Sequence, residues 1–230
     1  MEARLAGETD LAGFREEARA LLAHQVPPDD VQWQTPCAQE AELYSDPSAP
    51  ADRAAPKAAS SIVPASFLRL CEVVVLHHDA DRFALLYRLL WRLVHEPSLR
   101  NDPVDSDMLH AHQMGQAVRR DTHKMKTFVR FHEIDAGAGR QLSVAFYEPT
   151  HHVLEAVAPW FAKRMPHVRW VLFTPDRSVE CDGTKLHFAA GLPRAEAPRE
   201  DAPAQQWLAA YQRVFGAHAI AVNDSPAAVS

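Results

Sequence analysis

The fold is decided by residues 117–148, AVRRDTHKMKTFVRFHEIDAGAGRQLSVAFYE, because the spacing of the apolar residues changes within them. Up to Phe128 the apolar residues recur at helical spacing, whereas FVRFHEI and LSVAFYE alternate around the glycine-rich DAGAGR. This stretch predicts an amphipathic helix followed by a β-hairpin. With its surroundings it predicts an α+β fold, in which N-terminal helices precede a small antiparallel sheet of hairpins crossed by one helix.

The segments on either side support this class. Before it, TDLAGFREEARALLAHQV and DADRFALLYRLLWRLVHE have helical spacing, and FLRLCEVVVLHHD is interpreted as a helix despite its β-branched VVV run. After it, HHVLEAVAPWFAKRM predicts a helix that is kinked or restarted at Pro159. RWVLFTPDRSVECDGTKLHF predicts short strands with a hairpin turn at Asp182-Gly183. QQWLAAYQRVF predicts a last helix.

Composition divides the chain into four segments. These are an N-terminal helical arm (1–44), a linker of Pro, Ala and Ser (45–61), an α+β domain (62–190), and an acidic, Pro-rich tail with a short helix (191–230). The net charge is −6, but residues 61–190 carry 16 Lys and Arg against 15 Asp and Glu, a net of +1. The acidity therefore lies in the flanks, and total charge is a poor guide to partners.

Several protein classes are not expected. No apolar run approaches the ~20 residues that span a bilayer, and the N-terminus lacks the pattern of a signal peptide, so we expect a cytoplasmic protein without membrane contact. Cys37, Cys71 and Cys181 are odd in number and widely spaced, which predicts free, mostly buried thiols. No Walker loop, GxSxG, HExxH or GxGxxG motif is found, so the residues name no reaction and no cofactor is expected.

Basic residues of the third predicted helix are candidates for contacts with phosphates: Arg119, Arg120, Lys124, Lys126 and Arg130. At 100° per residue the first four share one outer arc with His123, opposite an apolar stripe that runs to Phe128. Nucleic-acid affinity depends chiefly on Lys and Arg neutralising backbone charge. The alternative is the solvated face of an ordinary surface helix.

A second basic segment, WFAKRMPHVRW (160–170), interleaves cations with aromatic residues. Lys163 and Arg164 are the candidates there, because bases of single strands stack on aromatic side chains beside cations. The alternative is that the aromatic residues belong to the core and the cations lie at a helix C-terminus, where the helix dipole favours them.

Candidate catalytic residues are Asp121, His123, His151, His152 and Glu155. Asp121 interrupts the apolar stripe and must be paired or hydrogen-bonded if buried, with Arg88 or Arg92 as the expected partner. His152 and Glu155 are three residues apart, a spacing that metals can use. Since no further ligand is fixed by spacing, no metal site is predicted, and the alternative is a histidine at a helix N-terminus or in a polar network.

Four blocks of the sequence resemble one known family: DRFALLYRLLWRL (81–93), AVRRDTHKMKTFVRF (117–131), YEPTHHVLEAVAPWFAKR (147–164) and RWVLFTPDRSVECDG (169–183). The family is an uncharacterised bacterial domain described as a probable DNA metabolism protein. It occurs alone, next to a radical-SAM protein similar to DNA photoproduct lyases. It also forms the N-terminal half of UdgX-like uracil-DNA glycosylase family proteins. The segment LAGETDLAGFREEARALLAHQVPPDDVQWQ resembles the start of the fused form.

The sequence also departs from the fused relatives. Ala210 replaces an expected Tyr, and GAHA from Gly216 replaces an Asn-Pro-Ala-Arg block. The uracil-pocket motifs of the glycosylase half are not found, so the resemblance does not carry glycosylase activity to this chain. The expectation is either a truncated fusion or a free-standing accessory domain.

The resemblance implies an accessory domain of DNA metabolism or repair that binds DNA or docks a repair enzyme. The implied partners are DNA and a glycosylase domain or a radical-SAM repair-like protein. One alternative is a protein-interaction module without DNA contact. The other is an uncharacterised enzyme that acts on a modified base or nucleotide at the candidate catalytic residues.

Overall fold

The structure is a computed structural model, and it describes residues 1–36, 63–96, 98–99, 102, 104–137 and 139–221. The described residues contain six α-helices, a five-stranded mixed sheet and a two-stranded sheet, so the predicted α+β class is confirmed. The predicted linker at 45–61 lies outside the described residues. None of the described helices combines the length and the apolar character that a bilayer-spanning helix needs.

The chain divides into two compact units. The first is Met1–Asp121 with Thr150–His152, and the second is Thr122–Pro149 with Val153–Ser230. The six α-helices and seven β-strands are numbered separately in chain order below, and helix α4 passes from the first unit into the second.

The first unit is mainly helical. Its elements are β1 (Glu2–Arg4), α1 (Leu11–Ala23), β2 (Gln32–Gln34), α2 (Ala65–Val74), α3 (Arg82–His95) and the N-terminal part of α4 (Ser106–Phe128). Strands β1 and β2 pair in parallel. Asp10 caps α1, since its carboxylate accepts the backbone N–H of Gly13 at 2.8 Å. The apolar stripes of the helices supply one core, in which Phe14 packs against Phe83 with 5.6 Å between ring centroids.

The second unit contains the rest of α4 and the sheet. Its elements are β3 (His132–Asp135), β4 (Gln141–Phe146), α5 (Leu154–Arg164), β5 (Trp170–Phe173), β6 (Arg177–Cys181), β7 (Leu186–Ala190) and α6 (Ala204–Ala221). The strands lie in chain order across the sheet. The β6–β7 turn is the predicted one at Asp182-Gly183, where Gly183 has a φ of +101°.

The sequence predicts an antiparallel sheet of hairpins, and this part of the prediction is wrong, because the sheet is mixed. Strands β4 and β5 are parallel neighbours, whereas the other neighbouring pairs are antiparallel. The cause is the crossing helix: α5 connects β4 to β5 and returns the chain to the same end of the sheet, as a crossover connection must. Helix α5 continues through Pro159 without a break.

Helices cover both faces of this sheet. Successive strand residues point to opposite faces, so Trp170 and Phe173 of β5 face different layers. Phe173 packs on Trp207 of α6, with 6.3 Å between ring centroids, and Trp170 packs on Phe161 of α5, with 6.1 Å. This arrangement buries β5 completely and places the end of α5 at the surface of the second unit.

The cysteine prediction is confirmed for the described residues. Cys71 and Cys181 are free and buried. Burial raises the pKa of the Cys71 thiol to about 12, so this side chain stays protonated. Cys37 lies outside the described residues.

Candidate functional site

Helix α4 carries unpaired cations along one arc. Asp105 caps its start by accepting the N–H of Met108 at 2.9 Å. Arg119, Arg120 and Lys124 are exposed, whereas Val118 on the opposite arc is buried. Among the described residues none of these three cations forms an ion pair. They are therefore available to an external anion.

The cations of helix α3 provide a contrast. Arg88 donates to Asp107 at 2.9 and 3.0 Å, and Arg92 donates to Asp105 at 2.7 Å. These bonds raise the pKa of both guanidinium groups and lower the pKa of both carboxyls. Arg88 and Arg92 of α3 therefore have carboxylate partners within the first unit, whereas the exposed cations of α4 have no ion pair among the described residues.

Trp160 lies between two cations in the second unit. Lys126 Nζ is 5.7 Å and Arg164 Cζ is 5.6 Å from the centroid of its ring. Trp160 is half-buried, and the neighbouring Lys163 is exposed. We call Lys126, Trp160, Lys163 and Arg164 the Trp160 cluster. Phe161 and Trp170 of the same segment are core residues, so that part of the segment follows the alternative interpretation.

Phe128 is not part of the buried stripe of α4, and that prediction is wrong. It is the last residue of the helix, and 60% of it is exposed. The helix ends there, so no following turn covers the ring. Phe128 lies four residues after Lys124, at the border between the apolar stripe and the cationic arc. An exposed aromatic ring therefore accompanies an unpaired cation.

Arg130 has a structural role. Its Nη1 donates to the carbonyl oxygens of Thr127 at 2.7 Å and of Val129 at 3.3 Å. These bonds satisfy carbonyl groups at the end of α4, and a cation there also suits the helix dipole. Arg130 is exposed, but its guanidinium is partly committed to the backbone.

Two of the candidate catalytic residues are brought together in the first unit. Asp121 is only 5% exposed, and its Oδ2 accepts the backbone N–H of His151 at 2.8 Å. The requirement that a buried Asp121 be hydrogen-bonded is thus confirmed. The expected partner is wrong, because Arg88 and Arg92 pair with Asp107 and Asp105.

The other candidate catalytic residues have different surroundings. His152 Nε2 lies 4.0 Å from Glu8 Oε2 in the first unit. Glu155 pairs with Arg177 at 2.9 Å in the second unit. His152 precedes the first residue of α5, Leu154, so the expected i to i+3 helical pair with Glu155 is not formed. His123 is exposed on α4.

The first unit also contains a cluster of three histidines, which sequence reasoning missed. His77 and His78 follow α2, and their rings lie against that of His151, with centroid distances of 4.3 and 4.9 Å. One nitrogen from each ring lies within 4.8 Å of the others. We call these residues the histidine cluster. The available signal was the pair of HH doublets, but a separation of 73 residues does not predict contact.

Hydrogen bonds fix the two loops that carry this cluster. The backbone N–H of His152 donates to the carbonyl of Leu76 at 2.9 Å. Arg82, only 1% exposed, donates to the carbonyls of Val75 at 3.0 Å and Asp79 at 2.8 Å and pairs with Glu8. The first loop is therefore held from within by a buried guanidinium, and the second loop is tied to the first.

The cluster favours neutral imidazoles. Burial, followed by the rings of His151 and His78, lowers the pKa of His77 to about 4. Burial also lowers the pKa of His151, although the carboxylate of Asp121 opposes this change. His77 and His151 are therefore uncharged at neutral pH and offer nitrogen lone pairs.

The fold and these sites define a class: an α+β protein with unpaired surface cations beside partly exposed aromatic rings. A family model described as a domain of unknown function, DUF4130, matches residues 80–221, which is more than half of the chain. The chain belongs to this family. No curated protein matches it, and no solved structure matches it.

Proposed function

We propose that this protein is an accessory domain of DNA metabolism that binds DNA through α4 and the Trp160 cluster. The observation that carries the proposal is the contrast between satisfied and unpaired cations. The arginines of α3 are bonded to carboxylates, whereas Arg119, Arg120 and Lys124 have no ion pair among the described residues. Cations without internal partners are the ones that neutralise phosphates and release counterions.

The aromatic residues favour unpaired DNA as the ligand. Phe128 is 60% exposed, and the ring of Trp160 is partly accessible between Lys126 and Arg164. A base that stacks on an aromatic ring gains ~1–3 kcal/mol, and a duplex offers such stacking only at its ends or at unpaired bases. Both features support binding of single strands or of duplexes with flipped or missing pairs.

The repair connection rests on the resemblance of the four sequence blocks. Relatives of that kind accompany a radical-SAM repair-like protein or are fused to a UdgX-like glycosylase half. The proposed role is accordingly to hold DNA, or to dock such an enzyme onto DNA, and not to cleave a glycosidic bond. In the alternative, a protein-interaction module without DNA contact, the unpaired cations would pair with carboxylates of the partner.

The proposal is tested by fluorescence anisotropy of labelled single- and double-stranded oligonucleotides at about 50 and 200 mM salt, since phosphate contacts strengthen as salt falls. The test variant is Lys124→Gln/Lys163→Gln/Arg164→Gln. The control variant, Arg19→Gln/Arg69→Gln/Lys185→Gln, removes the same charge from exposed cations elsewhere.

Wild type should prefer single strands. The test variant should bind at least ~10-fold more weakly at low salt, and its slope of log K against log [salt] should be about two units shallower, at ~0.7 per lost contact. The control should keep the slope of wild type within about half a unit. Absence of binding by wild type at low salt, or equal losses in both variants, would overturn the proposed interface. Co-purification with a partner enzyme in the absence of DNA binding would instead favour the protein-interaction alternative.

A further inference from the structure

We propose that His77, His78 and His151 bind one transition-metal ion, with Zn²⁺ as the representative ligand. The three rings come from two loops of the first unit and place one nitrogen each within 4.8 Å of the others. Neutral imidazole is a ligand for zinc and for other divalent ions of borderline softness. The inference does not depend on DNA binding.

The spacing of the nitrogens is close to what such an ion requires. Zn–N bonds of about 2.0–2.1 Å in a tetrahedral site put the ligand nitrogens ~3.3–3.4 Å apart. His78 Nδ1 and His151 Nδ1 are 2.9 Å apart, and no pair of ligand atoms exceeds 4.8 Å. Small rotations of the rings would therefore bring three nitrogens onto one sphere around a common ion.

Two backbone N–H groups compete with an ion for ring nitrogens of the cluster. His151 Nδ1 accepts the backbone N–H of His78 at 3.3 Å, and His77 Nδ1 accepts that of Asp79 at 3.1 Å, so an ion displaces these bonds or binds the opposite ring nitrogen. His78 Nδ1 then supplies the proton of the 2.9 Å contact between the two rings. A cation that binds both Nδ1 atoms requires His78 to carry its proton on Nε2, so that the ring stays neutral and its Nδ1 lone pair faces the ion.

The surroundings supply a supporting shell and an open side. Asp121 accepts the backbone N–H of His151, and its nearby negative carboxylate would stabilise a bound cation. Arg82 fixes the backbone on either side of the histidine doublet through Val75 and Asp79. His151 is buried, but His78 is exposed, so the ion would be reached from solvent and would keep a position for water.

The first test uses the full chain without an affinity tag, because a polyhistidine tag would bind the same ions. Co²⁺ is titrated into chelator-treated protein, and its visible ligand-field absorption reports tetrahedral coordination. Displacement by Zn²⁺, with a chromophoric chelator as competitor, gives the affinity and stoichiometry. We expect one ion per chain and tetrahedral Co²⁺ bands that Zn²⁺ abolishes.

Two variants of the exposed ligand and one control make the test specific. His78→Ala should weaken Zn²⁺ binding at least ~100-fold, more than the 10–100-fold typical of an outer-shell change. His110→Ala removes an exposed histidine of α4 in the same unit and should stay within about twofold of wild type. His78→Cys keeps a metal-binding side chain, so its Co²⁺ complex should gain a thiolate-to-metal charge-transfer band.

Each contrary outcome overturns the assignment. Failure of the wild-type chain to bind one equivalent of Zn²⁺ at micromolar concentration would show a metal-free polar cluster. Equal affinity of wild type and His78→Ala would place any bound ion elsewhere. Absence of the charge-transfer band in a folded His78→Cys variant, as judged by circular dichroism, would exclude position 78 as a ligand even if the alanine variant had lost affinity through misfolding.

Discussion

Replacement of Arg82 by Met tests how the fold holds the histidine cluster. Arg82 donates to the carbonyls of Val75 and Asp79 and to Glu8 while remaining 1% exposed. Methionine keeps most of the apolar stem and removes every donor. The variant therefore leaves two loop carbonyls without their guanidinium partner, with the histidine doublet between them.

The magnitude follows from those contacts. A buried acceptor that loses its only donor costs ~1–3 kcal/mol, which applies to the carbonyl of Val75. The carbonyl of Asp79 keeps the backbone N–H of residue 82 at 3.3 Å, so loss of the guanidinium there adds about 0.5–1.5 kcal/mol. The side chain of Glu8 is 40% exposed, so water replaces its partner and its loss adds no more than ~1 kcal/mol. Some relaxation of the loop reduces the sum. We expect the free energy of unfolding to fall by about 3–4 kcal/mol, within the range for breaking a buried pair.

The assay is urea unfolding of the full chain, followed by circular dichroism and tryptophan fluorescence. Arg15→Met is the matched control, because Arg15 pairs with Glu72 at 2.9 Å while 34% and 53% of the two side chains are exposed, so water replaces the lost partner and the change should cost ~1 kcal/mol or less. Arg82→Met should also weaken Zn²⁺ binding without removing a ligand. If Arg82→Met costs no more than Arg15→Met, the buried guanidinium does not hold the loop, and this reasoning is refuted.

Two further predictions concern stability. The pKa of His77 is lowered from 6.5 to about 4 in the folded chain. Between these pH values the unfolded chain therefore binds more protons than the folded chain. The free energy of unfolding should fall by about 1–2 kcal/mol as the pH drops through this window. Urea unfolding at several pH values should show a flatter dependence for His77→Gln; equal slopes would contradict the shift. A Cβ at Gly191 would lie 1.9 Å from the carbonyl oxygen of Pro175, so Gly191→Ala should cost at least ~2 kcal/mol. Gly216 lies in α6, and a Cβ added there has nothing within 4 Å, so Gly216→Ala should be neutral or stabilising in the same urea unfolding experiment. Equal losses in both variants would contradict the clash.

The parts of the fold that the sequence predicts are those with local causes. The change from helical to alternating spacing near Phe128 locates the end of α4 and the hairpin β3–β4. The dipeptide Asp182-Gly183 locates the β6–β7 turn, because Gly183 readily adopts a positive φ. The parallel pairing of β4 with β5 has no such local signal, since it depends on where α5 returns the chain. For the same reason the predicted sheet of antiparallel hairpins is wrong at this one pair of strands.

For the candidate sites, too, the sequence predicts only what a single element determines. Helical periodicity is enough to place Arg119, Arg120 and Lys124 on one arc, because a single helix fixes their directions. It does not predict that the ring of Phe128 stays exposed, which depends on where the helix stops. Nor does it predict that Asp121 accepts the N–H of His151, because that bond joins residues 30 positions apart.

The histidine cluster is informative because a purely structural role does not require it. Three imidazoles packed ring against ring repel one another once protonated, and their burial opposes the charged form, as the lowered pKa of His77 shows. Apolar side chains of similar volume would fill this space without a pH-dependent loss of stability. A fold that nevertheless keeps His77, His78 and His151 together places three ring nitrogens within 4.8 Å of one another, and a metal ion is the group that such a set of imidazole nitrogens can bind. Zn²⁺ binding and its loss in the His78 variants are therefore the decisive measurements for this unit, whatever the second unit does with DNA.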